Sequence, residues 1–391
     1  MLIFEDIITL DNLETTFLEL SYNSKSFNTY SQKLNLEKIY NDLNSGKFTF
    51  EKPKNFVQNA DNKRKHYYFG GVEQLVSKLI YNYLNEIIEP TYIENLFSNR
   101  KGKSHKHAVF NLQKNMQNMP NGVVLRMDIE KYYDTISHEI LLVQLQKYLD
   151  KKLLELINKL LKVMNKFDKG IVSGSSLSNL FGNLYLSEID IFVFKNMKQL
   201  SYIRFVDDMS VVCKNTMEAA SLKDILEGFL AQKLGLKLSS KKTFIRYISE
   251  GCVFLGYKIF ADKLLALDEY KISVNKDIND ILCGKSNLST VQIKNKIKAI
   301  KSKLKNTNET QVFDQISKID EILKNGGKFM SKMPINKEVE SQEIVVKLDK
   351  NHEQNMHENI IIQEIKLLNL LNLTPWDAMI KIKQWKDSIS S

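Results

Sequence analysis

The sequence predicts an α+β fold, on three observations. Short apolar runs of strand length occur at residues 123–127, on both sides of Asp207-Asp208, and at 253–259. Runs of that length bounded by turn residues read as strands and hairpins. Longer segments carry apolar residues at helical spacing, as in 72–88, where Val72, Leu75, Val76, Leu79, Ile80, Leu84 and Ile87 share one face. Finally, 391 residues at 43% hydrophobic content suffice for a sizeable core and two or three domains.

Bulk properties narrow the function. The formal net charge is +10 and the pI about 9.1, a balance suited to a polyanionic partner. Cys213, Cys252 and Cys283 show no metal-ligand spacing, and each lies in or near an apolar run, so packed, reduced thiols are expected. Residues 1–6 lack the basic segment of a secretory signal, and no uncharged stretch approaches a membrane span. The expected setting is the cytoplasm, with no membrane partner.

Taken in order, residues 11–20 and 34–43 read as helices without visible chemistry. A basic cluster that includes Arg64 and Lys65 runs into the aromatic strand Tyr67-Tyr68-Phe69, and Pro90 ends the helix that follows. Residues 97–109 are dense in cations around Gly102 and open another helix, which reads either as a solvated face or as an anion site to which the glycine and free N–H groups would add. Residues 122–129 form a strand that ends in Asp128, and a carboxylate there is costly to bury without a cation or donor. A helix follows from about Ser137, with a helical region over 141–164. Residues 170–186 are a small-residue loop entering an apolar helix, and glycine there permits close approach of a bulky ligand.

In 202–213, Asp207-Asp208 reads as a turn between two buried strands. Adjacent like charges are costly unless a cation neutralises them, and magnesium binds through one or two carboxylates plus substrate phosphates. Asp128 and the Asp207-Asp208 pair, joined only in space, are the makings of a two-metal site with ions about 4 Å apart. An amphipathic helix over 217–232, a lysine-bearing segment over 234–245 and the apolar hairpin follow. Residues 289–306 place Ile293, Ile297, Ile300 and Leu304 on one face with lysines around the rest. That is either an ordinary soluble helix or one that tracks a nucleic-acid backbone. Residues 325–359 read as a polar linker and 359–371 as a helix. Thr374 and Pro375 start another helix, whose Trp376, Met379, Ile380 and Trp385 are expected to pack.

In this order, over about residues 63–259, the segments resemble the reverse transcriptases of the bacterial retron, group II intron and diversity-generating type. Arg64 and Val72 to Val76 resemble the family's first fingers blocks, and Arg100-Lys101-Gly102 its fingers loop. Asp128 and Tyr133 fall at the metal ligand and aromatic sugar gate of motif A. Gly174, Ser178 and Asn183 match motif B, and Phe205-Val206-Asp207-Asp208 matches motif C. Residues 236–243 resemble motif D, and Phe254-Leu255-Gly256 the primer grip. Two departures stand out: Val172-Ser173 replaces the family's Pro-Gln before Gly174, and the usual Ile-Pro-Lys of the first fingers block is absent.

The resemblance implies a right-hand polymerase fold. Residues 1–122 would hold an N-terminal region and fingers, 123–260 the palm, 261–325 a helical thumb, and 326–391 a linker with a C-terminal helical extension. It implies RNA-directed DNA polymerase activity, with an RNA template that could be a dedicated non-coding RNA, dNTPs as substrate and DNA as product. An accessory protein or a second copy of the chain would be a further partner. The metal set is Asp128, Ile129, Asp207 and Asp208, holding two magnesium ions with manganese as substitute. Lys242 would act as general acid. Arg64, Lys65, Arg100, Tyr133, Gly174, Ser178 and Asn183 would form the nucleotide and template site. The outline resembles defence-associated and abortive-infection reverse transcriptases of bacteria more than intron-encoded ones, which implies antiviral defence. Two other classes stay open: an RNA-dependent RNA polymerase, which Ser173-Gly174 suits and Tyr133 opposes, and a non-catalytic nucleic-acid scaffold, which retention of three aspartates opposes.

Overall fold

The computed structural model describes residues 1–23, 34–57, 65–165, 168–197, 201–283, 286, 288–305, 307 and 310–324. Arg64 and the linker and helices expected after residue 324 lie outside the described residues. The chain opens with helices α1 (Phe4–Ile7), α2 (Leu10–Asn23) and α3 (Leu36–Asn44), then the antiparallel pair β1 (Lys54–Val57) and β2 (Lys65–Tyr68). Helix α4 (Gly71–Ile88) buries Leu75, Val76, Leu79, Ile80 and Leu84, the face that the spacing predicts. Pro90 sits in the short 3-10 turn that ends it. Helix α5 (His105–Asn118) starts at Ser104, whose hydroxyl accepts from the His107 N–H.

Next come β3 (Val123–Met127), α6 (Tyr132–Thr135), α7 (His138–Leu145), α8 (Lys151–Met164), α9 (Ser176–Tyr185) and α10 (Ser187–Ile191). The helical region expected over 141–164 is two helices. Asp150 breaks it, because its carboxylate caps α8 at the Leu153 N–H (2.9 Å) and also accepts from the Phe4 N–H (3.0 Å). Then follow β4 (Ile203–Phe205), β5 (Asp208–Cys213), α11 (Thr216–Leu234) and β6 (Phe244–Tyr247).

The central sheet has the order β4-β5-β3-β6, antiparallel throughout. Side chains alternate across it. Val123, Leu125 and Met127 with Met209, Val211 and Cys213 enter the main core, which α11 helps to cover. Val124 and Val212 enter a second core built from α5 and a smaller sheet, β7 (Cys252–Phe254), β8 (Tyr257–Ile259) and β9 (Leu264–Ala266). Both faces are thus covered, which is why the strands read as unbroken apolar runs. On this second face the alternation continues from Val124 through Arg126 to Asp128, and from Val212 through Ser210 to Asp208, so the charged residues gather at one end of the sheet. Helices α12 (Asp268–Leu282), α13 (Thr290–Leu304) and α14 (Thr310–Lys324) pack a third cluster, with Ile293, Ile297, Ile300 and Leu304 facing inward as their spacing predicts. No helix among the described residues is long and apolar enough to cross a membrane.

Candidate active site

Asp128 stands one residue beyond β3. Pairing of β3 with β6 stops at Arg126 opposite Phe244, and residues 237–239 take over the strand edge. There the Ser239 N–H donates to the Asp128 carbonyl (2.8 Å) and the Glu130 N–H to the Lys237 carbonyl (2.9 Å). Gly235, left-handed at φ 62°, ends α11 and turns the chain into this segment. Lys242 follows, with its ammonium 3.0 and 3.2 Å from the two Asp128 oxygens. Ile129 bridges Leu238 through those two flanking hydrogen bonds, so its own carbonyl lies outside them.

The expected turn differs by one residue. Phe205 pairs with Asp208, so Val206 and Asp207 form the two-residue loop, and Asp208 already belongs to β5. Val206 sits at φ 59°, a strained position for a β-branched side chain. Two bonds hold it there. Its N–H donates to the Ser98 hydroxyl (2.9 Å), and its carbonyl accepts from the Arg204 guanidinium (2.8 Å). Ser98 is delivered by residues 95–97, which run along β4: Phe97 N–H to the Arg204 carbonyl and Arg204 N–H to the Asn95 carbonyl, both 3.0 Å. Arg204 is wholly buried and grips both oxygens of the equally buried Asp190 at 2.7 and 2.5 Å. Burial opposes its charge, but Asp190 more than offsets this and holds the guanidinium protonated. The Tyr202 hydroxyl donates to the same carboxylate (2.7 Å). Sequence reasoning missed Ser98, Asp190 and Arg204. One signal was available: an arginine inside an apolar strand requires a buried acidic partner.

Asp208 pairs with Arg126, which also donates to the Val253 carbonyl of β7. The carboxyl groups differ in environment. Asp207 is pushed up to about 6, chiefly by burial, then by the Asp128 charge and, less strongly, by Asp208. Burial also raises Asp208, against the pull of Arg126. Among the described residues no three acidic, histidine or cysteine groups form a ready ion cage; Asp128 leans on Lys242 and Asp208 on Arg126. The donor chemistry nevertheless fits magnesium or manganese: hard oxygens only, gathered at one end of one sheet, with Asp207 carrying a charge that burial and Asp128 both penalise.

The nucleotide-side expectations divide. Tyr133 is half-buried and its hydroxyl donates to the Asn179 side chain on α9 (3.0 Å), while neighbouring Tyr132 is the buried ring, bonded to the Gly182 carbonyl. Asn179 was not foreseen. Gly174 is exposed, at φ 114°, and lines a cleft of about 230 Å³ with Ser175, Ser176 and Ser77. Ser178 and Asn183 are corrected: both are buried. Ser178 is tied to the α9 cap residue Ser175 (2.8 Å), and the Asn183 amide is spent on the Ser98 hydroxyl (3.0 Å) and carbonyl (2.9 Å). They build the scaffold beneath the site instead of lining it.

Arg100 is partly engaged within the protein. Its guanidinium folds back onto the carbonyls of Ile93 (2.7 Å) and Leu96 (3.3 Å), above the Tyr92 ring. Lys101 beside it is exposed, and both, with Asn99, Lys103 and Asn179, line a cleft of about 450 Å³. Lys65 opens β2. Phe254 is buried, and Leu255-Gly256 form the tight β7–β8 turn at φ 48° and 85°.

Residues 72–259 match the family model described as reverse transcriptase (RNA-dependent DNA polymerase). A Saccharomyces cerevisiae COX1/OXI3 intron 1 protein is 24% identical over 295 residues, covering 57% of this chain and 34% of that one. The group II intron-encoded protein LtrA of Lactococcus lactis subsp. cremoris is 25% identical over 202 residues, 34% of each chain. This chain therefore spans about a third of the length of these two relatives. A solved Candida albicans telomerase in complex with a TWJ fragment of telomeric RNA overlaps 62% of this chain and 47% of its own, at TM-score 0.37 and 13% identity, too distant to bear on function. With the aspartates at one end of an antiparallel four-stranded palm and the family match running from α4 to β8, residues 72–259 form a right-hand polymerase domain similar to that of the reverse transcriptase family.

Proposed function

We propose that this chain is an RNA-directed DNA polymerase. The observation that carries the reading is the convergence of Asp128, at the end of β3, with Asp207 and Asp208, at the β4–β5 turn, on one end of the palm sheet. Two magnesium ions bound by these carboxylates and the Ile129 carbonyl would activate the primer 3′-hydroxyl and stabilise the charge that develops as pyrophosphate leaves. The protein's own share is positioning and charge. Ser98 and Arg204 fix the turn that aims Asp207. Lys242, on Asp128, is placed to donate a proton toward the leaving group. Lys101 is the loop cation free to meet the triphosphate. The partners on this reading are an RNA template, dNTPs and the DNA product. A role in bacterial antiviral defence rests on the resemblance of the chain's outline to defence-associated reverse transcriptases, and a cytoplasmic setting on its unpaired thiols, Cys213 and Cys252 being buried. Extension of a primer on an RNA template, offered dNTPs or NTPs with and without magnesium, tests the activity.

Tyr133 would set the sugar choice. The Asn179 bond ties its hydroxyl to α9, and a ring under the incoming ribose leaves no room for a 2′-hydroxyl. Tyr133→Ala is expected to lower the dGTP-to-GTP ratio of kcat/KM by about tenfold or more, the equivalent of about 1.4 kcal/mol of lost clash. An unchanged ratio in a folded variant would show that Tyr133 does not act as the gate.

A further inference from the structure

Arg126 is a cation set inside an apolar strand, only 7% exposed. One arm of its guanidinium pairs with Asp208 and another donates to the Val253 carbonyl. Its plane lies over the Phe254 ring, 4.6 Å from the centre. Its Nε has no hydrogen-bond partner. A single guanidinium thus spans a catalytic carboxylate and the hairpin read as the primer grip. The hairpin turn has only two residues, Leu255 and Gly256, which leaves little slack between its tip and Val253. Only arginine can grip a carboxylate, reach a carbonyl and stack on a ring at once.

We propose that Arg126 is a positioning residue that holds Asp208 on the primer-grip hairpin, so that divalent-ion binding by the primer-free protein is carried by Asp207 and by Asp128, whose partner Lys242 is exposed and displaceable where Arg126 is buried. The inference rests on the polymerase reading above. It gives the two adjacent aspartates unlike duties: Asp207 is aimed by the strained turn, and Asp208 is neutralised by a cation that also bears on primer seating.

Two readouts separate this from a purely structural role: manganese binding to the full chain without nucleic acid, followed by the ion's electron paramagnetic resonance, and the split of KM between primer–template and dNTP. Asp207→Asn is expected to weaken manganese binding by about tenfold or more, whereas Asp208→Asn stays within about threefold of the native protein. Arg126→Met releases Asp208 and is expected to tighten manganese binding by about fivefold, while raising KM for primer–template by about fivefold and leaving KM for dNTP within about twofold. Arg126→Lys, which reaches Asp208 but cannot also bond Val253 and stack on Phe254, restores the native manganese affinity but not the native primer KM.

Loss of manganese binding in Asp208→Asn as severe as in Asp207→Asn would overturn the proposal. So would native manganese affinity in a folded Arg126→Met. If Arg126→Met fails to fold, the two aspartate variants still decide. Native protein that binds manganese through Asp207 yet extends no primer would instead sink the polymerase reading, whatever Arg126 does.

Discussion

Asp207→Asn is expected to abolish primer extension and, at neutral pH in chelator, to raise the melting temperature. The substitution keeps the volume and removes the charge. Catalysis is lost because Asp207 is the carboxylate that the Val206 turn presents, and loss of one such charged group costs about a hundredfold or more. Stability moves the other way because the folded protein holds the Asp207 proton up to about pH 6, whereas the unfolded chain releases it near the ordinary carboxylate value of about 3.9. Between those values the native state binds more protons than the unfolded one, so this group's contribution to stability falls as pH rises, and the loss is complete above about 6. Asparagine escapes it. The variant and native curves should coincide below about pH 4, separate through about pH 6, and stay apart by about 1–3 kcal/mol above. Thermal melts across that range, paired with single-turnover extension, give both halves. A variant that extends like the native protein would remove Asp207 from the chemistry.

The second large effect lies beneath the site. Asp190→Ala leaves the fully buried Arg204 charge without its partner, and breaking such a pair costs about 3–5 kcal/mol. Denaturant unfolding should show that loss directly. Replacing both residues, Asp190→Leu with Arg204→Met, removes the unpaired charge and is expected to recover most of the stability, because apolar replacements of buried pairs are often neutral. Activity should not recover. Arg204 also holds the Val206 carbonyl (2.8 Å), and without it the left-handed turn loses one of its two restraints. A double variant that regains both stability and extension would show that the pair serves folding alone.

Much of the fold was legible because local rules and packing agree. The β3 run, the motif C hairpin, the β7–β8 hairpin and the apolar face of α4 all follow from periodicity. The three aspartates stood out because carboxylates at strand ends are costly. What escaped was set by contacts distant in sequence. A two-residue turn through Val206 contradicts turn propensity, and only Ser98 and Arg204 make it tenable. Arg100 looked like a free loop cation, yet carbonyls four and seven residues upstream engage one arm of its guanidinium while the residue still lines the loop cleft. Asn183 showed a polar side chain on an apolar helix, and sequence alone does not tell whether such an amide faces a ligand or clamps Ser98. Arg126 was read as part of a strand, although a buried arginine two residues before Asp128 had to have a carboxylate within reach.

The central claim, that this palm copies RNA into DNA through its three aspartates, is tested most directly by primer extension on a defined RNA template with purified native protein. The account expects product that lengthens with dNTPs, follows the template sequence, requires magnesium or manganese, and does not form with NTPs. Preferential extension with NTPs would identify an RNA polymerase, and no extension with either nucleotide in magnesium or manganese, despite tight nucleic-acid binding, would identify a scaffold; either result contradicts it.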